Sequence, residues 1–212
     1  MAEFDLETKI KDIIFNARKV AIVPSVSDGI DSFAGALGIY KMLSERGKEV
    51  TILYPDNVPE DFAGLTEGVK VNNSIGDRSL VVSIDYSGTE ATKVNYTTEN
   101  DVLFFYLNPV ERDFDLSKVK AKVTGPDFDL FITLGVQDMA DLGDFRSQLE
   151  AEMAKSKVFN IDNSSANSRF GSLYFVDSSM PKLSLLLLNK APKWDLVIGT
   201  ETAKALMTGF SR

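Results

Sequence analysis

The sequence of 212 residues contains neither cysteine nor histidine. The absence of cysteine excludes disulfides, thiolate-bound zinc and thiol nucleophiles. The absence of histidine removes the commonest general base and the commonest ligand of transition metals. Any catalysis by this chain must therefore use carboxylates, Lys, Tyr, Ser or a hard metal ion bound through oxygen.

Long apolar runs and excess positive charge are also missing. The apolar run at 183–188 is far too short to span a membrane and is typical of a core helix. The charged N-terminal segment lacks the apolar stretch of a secretory signal, so we expect a soluble cytoplasmic protein without membrane contact. The formal net charge of −8 argues against a general nucleic-acid groove, which needs cations to neutralise phosphates, but leaves room for a local basic patch.

The stretch from Val20 to Leu43 is the most informative in the chain. Its first residues, Val20–Val23, form a short apolar run that predicts a buried strand. From Asp31 onward the apolar residues fall at helical spacing, at Phe33, Leu37, Tyr40 and Leu43. Ser27, Asp28 and Asp31 would lie at the helix start, where they are either ordinary caps or part of a ligand site.

The remaining pattern predicts an α/β fold with a mostly parallel sheet flanked by helices. A helix at 4–18 precedes the first strand, and residues 49–54, 129–134, 157–161 and 172–176 read as further strands. Helices are expected at 139–155, 181–189 and 201–208. Short β-like runs at 79–85, 92–96 and 102–107, with a tight turn at Asn100-Asp101, predict an antiparallel meander added to or continuing this sheet. We expect a single domain over 1–212 with the meander as an insertion at 79–124.

Polar residues follow three of the predicted strands, at 25–31, 135–138 and 162–164. If these strands are parallel, their carboxyl ends meet at one edge of the sheet, the usual ligand position in such folds. The candidate carboxylates are Asp28, Asp31, Asp138 and Asp162. They are either ligands for Mg²⁺ or Mn²⁺ or ordinary caps and turn residues.

Four segments in this order resemble the DHH-family phosphoesterases, which include nanoRNases and phosphoadenosine-phosphate phosphatases. The segments begin VAIVPSVSDGIDSF, DLFITLGVQD, VFNIDNSSAN and TAKALMTGF. The resemblance covers most of the chain apart from residues 79–124. It implies the DHH-domain fold, with hydrolysis of phosphate esters at a site that holds two divalent metal ions.

The resemblance also implies that the metal-binding motifs are degenerate. The opening motif of the family, His-x-x-x-Asp-x-Asp, keeps only its last residue, at Asp31; Ser25 and Gly29 stand at the other two ligand positions. Gly135 replaces the acidic residue of the second motif. The Asp-His-His motif becomes Asp162-Asn163-Ser164, without either imidazole.

A fourth acidic position of the family follows a Thr-Gly-Ile run, to which Thr208-Gly209-Phe210 corresponds. The resemblance places that position, and the second domain that grips the substrate, beyond Arg212. We therefore expect the chain to contain the DHH-like domain without the substrate-gripping one.

Our leading hypothesis is a non-hydrolytic binding module for a nucleotide, a nucleic acid or a protein, without a cofactor. The alternatives are an active Mg²⁺- or Mn²⁺-dependent phosphodiesterase or phosphatase acting on nucleotides or short oligonucleotides, and a structural subunit that docks through 79–124. Asp31 and Asp162 are the catalytic candidates, and Asp28 joins them as a candidate metal ligand. The candidate ligand-binding residues are Ser25, Ser27, Asp28, Gly29, Asp31, Gly135, Asp162, Asn163 and Ser164.

Overall fold

The computed structural model describes residues 2–87, 93–108, 114–143 and 145–211, except for the side chains of residues 2–4. The chain divides into two compact units. One unit comprises residues 1–76 and 126–212, and the other comprises residues 77–125. The boundaries of the second unit lie within two residues of the insertion expected at 79–124, while the expectation of a single domain stays a prediction.

The first unit is built on a six-stranded parallel sheet, which confirms the α/β fold class. The strands are β1 (Lys19–Pro24), β2 (Glu49–Leu53), β3 (Val71–Asn72), β8 (Leu130–Leu134), β9 (Lys157–Asp162) and β10 (Leu173–Val176). Their order across the sheet is β10-β9-β8-β1-β2-β3, and β3 lies in a stretch where no strand was expected. The central strands β1 and β8 are buried along almost their whole length, as their continuous apolar runs predict.

Helices cover both faces of this sheet. The helices are α1 (Ala2–Asn16), α2 (Gly29–Ser44), α3 (Phe145–Met153), α4 (Leu183–Lys190) and α5 (Thr200–Phe210). Alternate strand residues point to opposite faces. Ile22 and Ile132 pack into the core shared with α1, α2, α4 and α5, whereas Val23 and Phe131 pack against α3. Among the described residues, no helix is long and apolar enough to cross a membrane.

Two glycines bring α2 and α5 close together. A Cβ added to Gly38 would lie 2.6 Å from the Leu206 side chain, and one added to Gly209 would lie 2.4 Å from the Cβ of Ala34. Real Cβ contacts are longer, so both positions need glycine for this helix packing. Gly209 thereby places the end of α5 beside the first turns of α2.

The helix expected at 139–155 is shorter than the sequence predicts. Residues Met139–Leu142 form a 3-10 turn, and α3 begins at Phe145, with Asp144 outside the described residues. Asp138 and Asp141 form a capping box around the 3-10 turn, and Gly143 ends it with a left-handed φ of 53°. Glycine adopts that conformation at little cost, so the chain breaks the helical pattern here.

The second unit is antiparallel, as expected, but its strands do not pair in meander order. Its strands are β4 (Ser79–Ile84), β5 (Lys93–Glu99), β6 (Val102–Asn108) and β7 (Val119–Thr124), with Thr92 outside the described residues. β5 pairs with β6 through the Asn100-Asp101 turn, where both residues have positive φ. β4 pairs with β7, and no described strand of the unit joins the six-stranded sheet. In sequence, the β5–β6 hairpin therefore lies between the two strands of the β4–β7 pair. Local patterns predict a hairpin between neighbouring strands but do not predict which more distant strands pair.

Candidate functional site

The carboxyl ends of β1, β8 and β9 lie side by side at one edge of the sheet. Hydrogen bonds between neighbouring strands continue beyond the strand ends, because Ser25 N donates to Leu134 O at 2.8 Å and Gly135 N donates to Ile161 O at 3.0 Å. This arrangement brings together the residues after the three strands, as the parallel pattern predicts. We call this place, formed by residues 25–31, 135 and 162–164, the carboxyl edge.

Asp31 lies in the first turn of α2, yet its carboxylate caps a different helix. Its Oδ2 accepts a hydrogen bond from Leu183 N at 2.6 Å, and its Oδ1 accepts two from Ser184, from N at 3.0 Å and from Oγ at 2.5 Å. The Asp31 carboxylate thereby satisfies two N–H groups at the start of α4 that would otherwise lack partners. Asp31 is 7% exposed, so three of the roughly four acceptor positions of a carboxylate are filled inside the protein.

Asp162 is also fully engaged within the chain. Its Oδ1 accepts hydrogen bonds from Asn163 N at 2.7 Å and Ser164 N at 3.2 Å, and its Oδ2 accepts one from Asn167 Nδ2 at 2.7 Å. The residue is 2% exposed. Asn167 also donates to Val136 O at 3.0 Å and so ties the turn after β9 to the turn after β8. The carboxylate of Asp162 therefore organises the two turns.

Asp28 differs from the other two carboxylates. It is the N-cap residue of α2 but makes no side-chain capping bond, and within the described residues its carboxylate has no hydrogen-bond partner. Desolvation, together with the charges of Asp31 and Asp162, raises its pKa to about 6, and Lys182 acts in the opposite direction. The residue as a whole is exposed. Its carboxyl group is therefore partly shielded from water by its neighbours but still contacts solvent.

Gly135 stands where the resemblance places an acidic ligand, and the structure leaves little room for one. Its φ is +67°, in the left-handed region. A Cβ at this position would lie 2.8 Å from Asp28 Oδ2 and 2.9 Å from Leu183 Cδ1. Any side chain at residue 135 therefore requires the ends of the Asp28 and Leu183 side chains to move.

The other residues of the loop at 25–31, which follows β1, make a network of short polar contacts. Ser25 is buried and its Oγ lies 2.9 Å from Ser27 Oγ, while its carbonyl accepts from Ser32 Oγ at 2.5 Å. Gly29 has a φ of +57° and nothing within 4 Å of an added Cβ, so the chain turns here beside open space. These contacts hold the loop that presents Asp28.

A cavity of about 450 Å³ opens at the carboxyl edge. It is lined by Asp28, Gly29, Ile30, Asp31, Asn163, Pro181, Lys182 and Gly209. Volumes in this range are typical of small-molecule sites. Asn163 donates through Nδ2 to Met180 O at 3.1 Å. Ser164, whose Oγ accepts from Ala166 N, is not among the lining residues.

Asp138, the fourth candidate carboxylate, has a different role. Its Oδ1 accepts from Ala140 N at 2.9 Å, and its own N–H donates to Asp141 Oδ2 at 2.9 Å. The hydrogen bond from Ala140 lowers the pKa of this exposed carboxyl group. Asp138 is therefore the capping residue of the 3-10 turn that follows β8.

Few of the described carboxylate oxygens at this edge are free of internal hydrogen bonds. Across 2–87, 93–108, 114–143 and 145–211, no group of three acidic side chains is placed to hold a metal ion. The N–H donors around Asp31 and Asp162 direct positive dipole ends at the carboxylates and compete with a cation for their oxygens. Of the three candidate ligands, only Asp28 has a carboxylate free of internal hydrogen bonds.

The site includes residues that were not predicted from the sequence, among them Ser184, Asn167 and Lys182. Ser184 lies in an apolar run that reads as core helix, and Asn167 carries no motif. Lys182 precedes α4 as its N-cap residue, in a segment of chain far from the three loops. No local signal links any of them to the carboxyl edge, because each is brought there by packing of α4 or by the turn after β9.

The chain matches no protein-family model and no curated protein. Among solved structures, it is similar to an exopolyphosphatase-related protein from Bacteroides fragilis, with a TM-score of 0.62 and 16% sequence identity. The match covers 99% of this chain and 49% of that one, so this chain spans about half the length of its neighbour. At this identity the likeness is one of fold.

Proposed function

We propose that this chain is a phosphoesterase-like domain that binds a nucleotide, or another small phosphate-bearing ligand, without hydrolysing it. The observation that carries the proposal is that two carboxylates of the site are occupied by hydrogen bonds within the protein. Asp31 and Asp162 each accept three internal hydrogen bonds, from α4 and from the turn after β9 respectively. In the DHH-family resemblance these are the two acidic positions that survive.

Metal-dependent phosphoryl chemistry needs more than these residues offer. A two-metal mechanism requires ions roughly 4 Å apart that clamp the attacking and leaving oxygens. Asp31 and Asp162 are occupied by internal hydrogen bonds, and residue 135 is a glycine without a carboxylate. Asp28 is therefore the remaining candidate carboxylate for a cation. A single carboxylate is a poor site for Mg²⁺, which prefers several hard oxygen ligands.

Ligand binding is supported by the cavity and by the positively charged side chain of Lys182, which lines it. Lys182 lines the cavity together with the first turn of α2, whose N–H groups attract anions. The name of the structural neighbour, an exopolyphosphatase-related protein, is consistent with a phosphate-bearing ligand. The charge of Asp28 opposes phosphate, so we expect modest affinity at neutral pH that rises as Asp28 is protonated.

The absence of hydrolysis is tested by incubating the full chain with Mn²⁺ or Mg²⁺ and a panel of phosphate esters. The panel consists of short oligoribonucleotides, cyclic dinucleotides, phosphoadenosine phosphate and inorganic polyphosphate. We expect no turnover above the buffer control. Metal-dependent turnover that is lost in Asp162→Asn would overturn the proposal and favour the active phosphodiesterase.

Binding is tested by calorimetry with the same nucleotides in the absence of metal. Lys182→Glu should weaken binding roughly fivefold to tenfold, the effect of losing one charge-assisted contact. Lys155→Glu is the matched control, because it changes the net charge equally at an exposed lysine that does not line the cavity. Equal weakening by both variants, or no binding by the parent chain, would contradict the proposed site.

A further inference from the structure

The cavity at the carboxyl edge contains two side chains of opposite charge that do not pair with each other. Asp28 and Lys182 both line it. Within the described residues, neither the Asp28 carboxylate nor the Lys182 ammonium group takes part in a hydrogen bond or a salt bridge. Lys182 is half-buried, and its charge acts on Asp28 without a direct contact. Both groups are therefore available to a ligand.

The two charged groups belong to the same small region of the first unit. Asp28 Oδ2 and Leu183 Cδ1 lie 2.8 Å and 2.9 Å from one point, the position of a Cβ at Gly135. Leu183 directly follows Lys182, and its N–H donates to Asp31 Oδ2 at 2.6 Å. The contact with Asp31 thus fixes the backbone beside Lys182. One small ligand in the cavity can therefore meet both the carboxylate and the ammonium group.

The third charged residue of the cavity is occupied by the protein itself. The carboxylate of Asp31 accepts three hydrogen bonds from Leu183 and Ser184 at the start of α4. The other lining residues carry no charge; they are Gly29, Ile30, Asn163, Pro181 and Gly209. Among the residues that line the cavity, the charges open to a ligand are therefore those of Asp28 and Lys182.

These two groups require different chemistry from a ligand. An ionised carboxylate only accepts hydrogen bonds, and an ammonium group only donates them. A phosphate group suits Lys182 but is repelled by the charge of Asp28, so the part of the ligand beside Asp28 must carry hydrogen-bond donors. In a 5′-nucleotide, the ribose hydroxyl groups are donors on the same sugar ring that bears the phosphate, whereas the donors of the base lie further away. Acidic side chains accept from ribose hydroxyl groups in dinucleotide-binding folds.

We propose that Asp28 accepts hydrogen bonds from the hydroxyl groups of a ribose while Lys182 binds the phosphate of the same ligand. The ligand is then a phosphate ester of a sugar with adjacent hydroxyl groups, as in a ribonucleotide or a sugar phosphate. This inference rests on the proposed function and adds to it a selection for ribose over deoxyribose. Asp28 is the residue that makes the selection, because a ligand without the hydroxyl groups meets its charge without a donor.

The selection is tested by calorimetry of the full chain with adenosine 5′-monophosphate and its 2′,3′-dideoxy analogue, which differ only in the two hydroxyl groups. The parent chain should bind the ribonucleotide at least about tenfold more tightly, the effect of hydrogen bonds to a charged acceptor. Asp28→Ala removes the acceptor and should bring the ratio of the two affinities to about one. Asp12→Ala is the matched control, because it removes the same charge at an exposed residue of α1 that does not line the cavity. It should keep the ratio of the parent chain.

Ribose 5-phosphate distinguishes the two sources of the ligand. Affinity at least about tenfold below that of the ribonucleotide supports a nucleotide, and comparable affinity supports a sugar phosphate.

Two results would overturn the ribose contact and leave the proposed function standing. One is equal affinity of the parent chain for the ribonucleotide and its dideoxy analogue. The other is an unchanged ratio in Asp28→Ala, whose melting temperature shows whether the variant is folded. Absence of binding by every nucleotide would instead contradict the proposed function, and the ribose contact with it.

Discussion

The carboxylate of Asp31 is hydrogen-bonded to Ser184, 153 residues further along the chain, through both the backbone N–H and the side-chain hydroxyl. The contact joins the first turn of α2 to the first turn of α4 and leaves the Asp31 carboxylate 7% exposed. A residue that reads as a catalytic remnant is thus a helix cap between two elements of the core. Its role predicts large effects on stability.

Replacement of Asp31 should destabilise the first unit strongly. Asp31→Ala removes three hydrogen bonds and leaves donors of α4 unpaired, at a cost of about 2–4 kcal/mol in the free energy of unfolding. Asp28→Ala is the matched control at the neighbouring turn and should change it by less than about 1 kcal/mol, because Asp28 makes no capping bond. Urea unfolding followed by Trp194 fluorescence measures both, and similar losses in the two variants would contradict the cap.

Gly135 and Gly29 provide a matched pair with different surroundings. Both have positive φ, so Ala at either position costs about 1–2 kcal/mol of backbone strain. At Gly29 the Cβ meets nothing within 4 Å, whereas at Gly135 it meets Asp28 and Leu183 below 3.0 Å. Gly135→Ala should therefore cost at least about 1 kcal/mol more than Gly29→Ala, owing to the crowding. Thermal melts of the two variants measure the difference, and equal costs would show that the Asp28 and Leu183 side chains move aside freely.

Asp28 should titrate with a midpoint near 6 in a carbon-13 NMR titration of its carboxyl group. Because the folded-state pKa lies above the ordinary value of 3.8, the folded chain binds more protons than the unfolded chain between these values. Stability contributed by the neutral form is complete below pH 3.8 and is lost as the pH rises through about 6.

Asp28→Asn keeps the neutral state at every pH and should remove this loss. The melting temperature of the variant should therefore gain on that of the parent between pH 4 and pH 7 and then stay parallel to it. Because the residue is exposed, solvent screening limits the corresponding gain in the free energy of unfolding to about 1 kcal/mol. A constant difference across this range would show that the pKa is not raised.

Trp194, the single tryptophan of the chain, should report directly on the first unit. It is 1% exposed and packs edge-on against Phe159 and Phe175, so its emission should be blue-shifted and move to longer wavelength on unfolding. Within the described residues its Nε1 has no hydrogen-bond partner. Trp194→Phe should therefore cost only about 1 kcal/mol, against about 3–5 kcal/mol for Trp194→Ala. Equal costs for the two variants in urea unfolding would contradict a purely apolar role.

The sequence by itself determined the elements whose patterns are local. Apolar runs identified β1, β2, β8 and β9, and the pair Asn100-Asp101 identified the turn between β5 and β6. The rule that parallel strands end at one edge also predicted that residues 25–31, 135–138 and 162–164 would meet there, although Asp138 instead caps the 3-10 turn after β8. These features follow from periodicity and turn chemistry, which act over a few residues.

Only the tertiary structure decided what the gathered residues do. Whether the Asp31 carboxylate is free or caps a helix depends on where α4 begins. That position depends on the packing of α2, α4 and α5, in which Gly209 lies close to Ala34 and Asp31. The pairing of β4 with β7 likewise joins strands that lie far apart in the chain. A carboxylate has the same sequence signature as a ligand and as a cap, and its role is fixed by which donors long-range packing brings within hydrogen-bond distance.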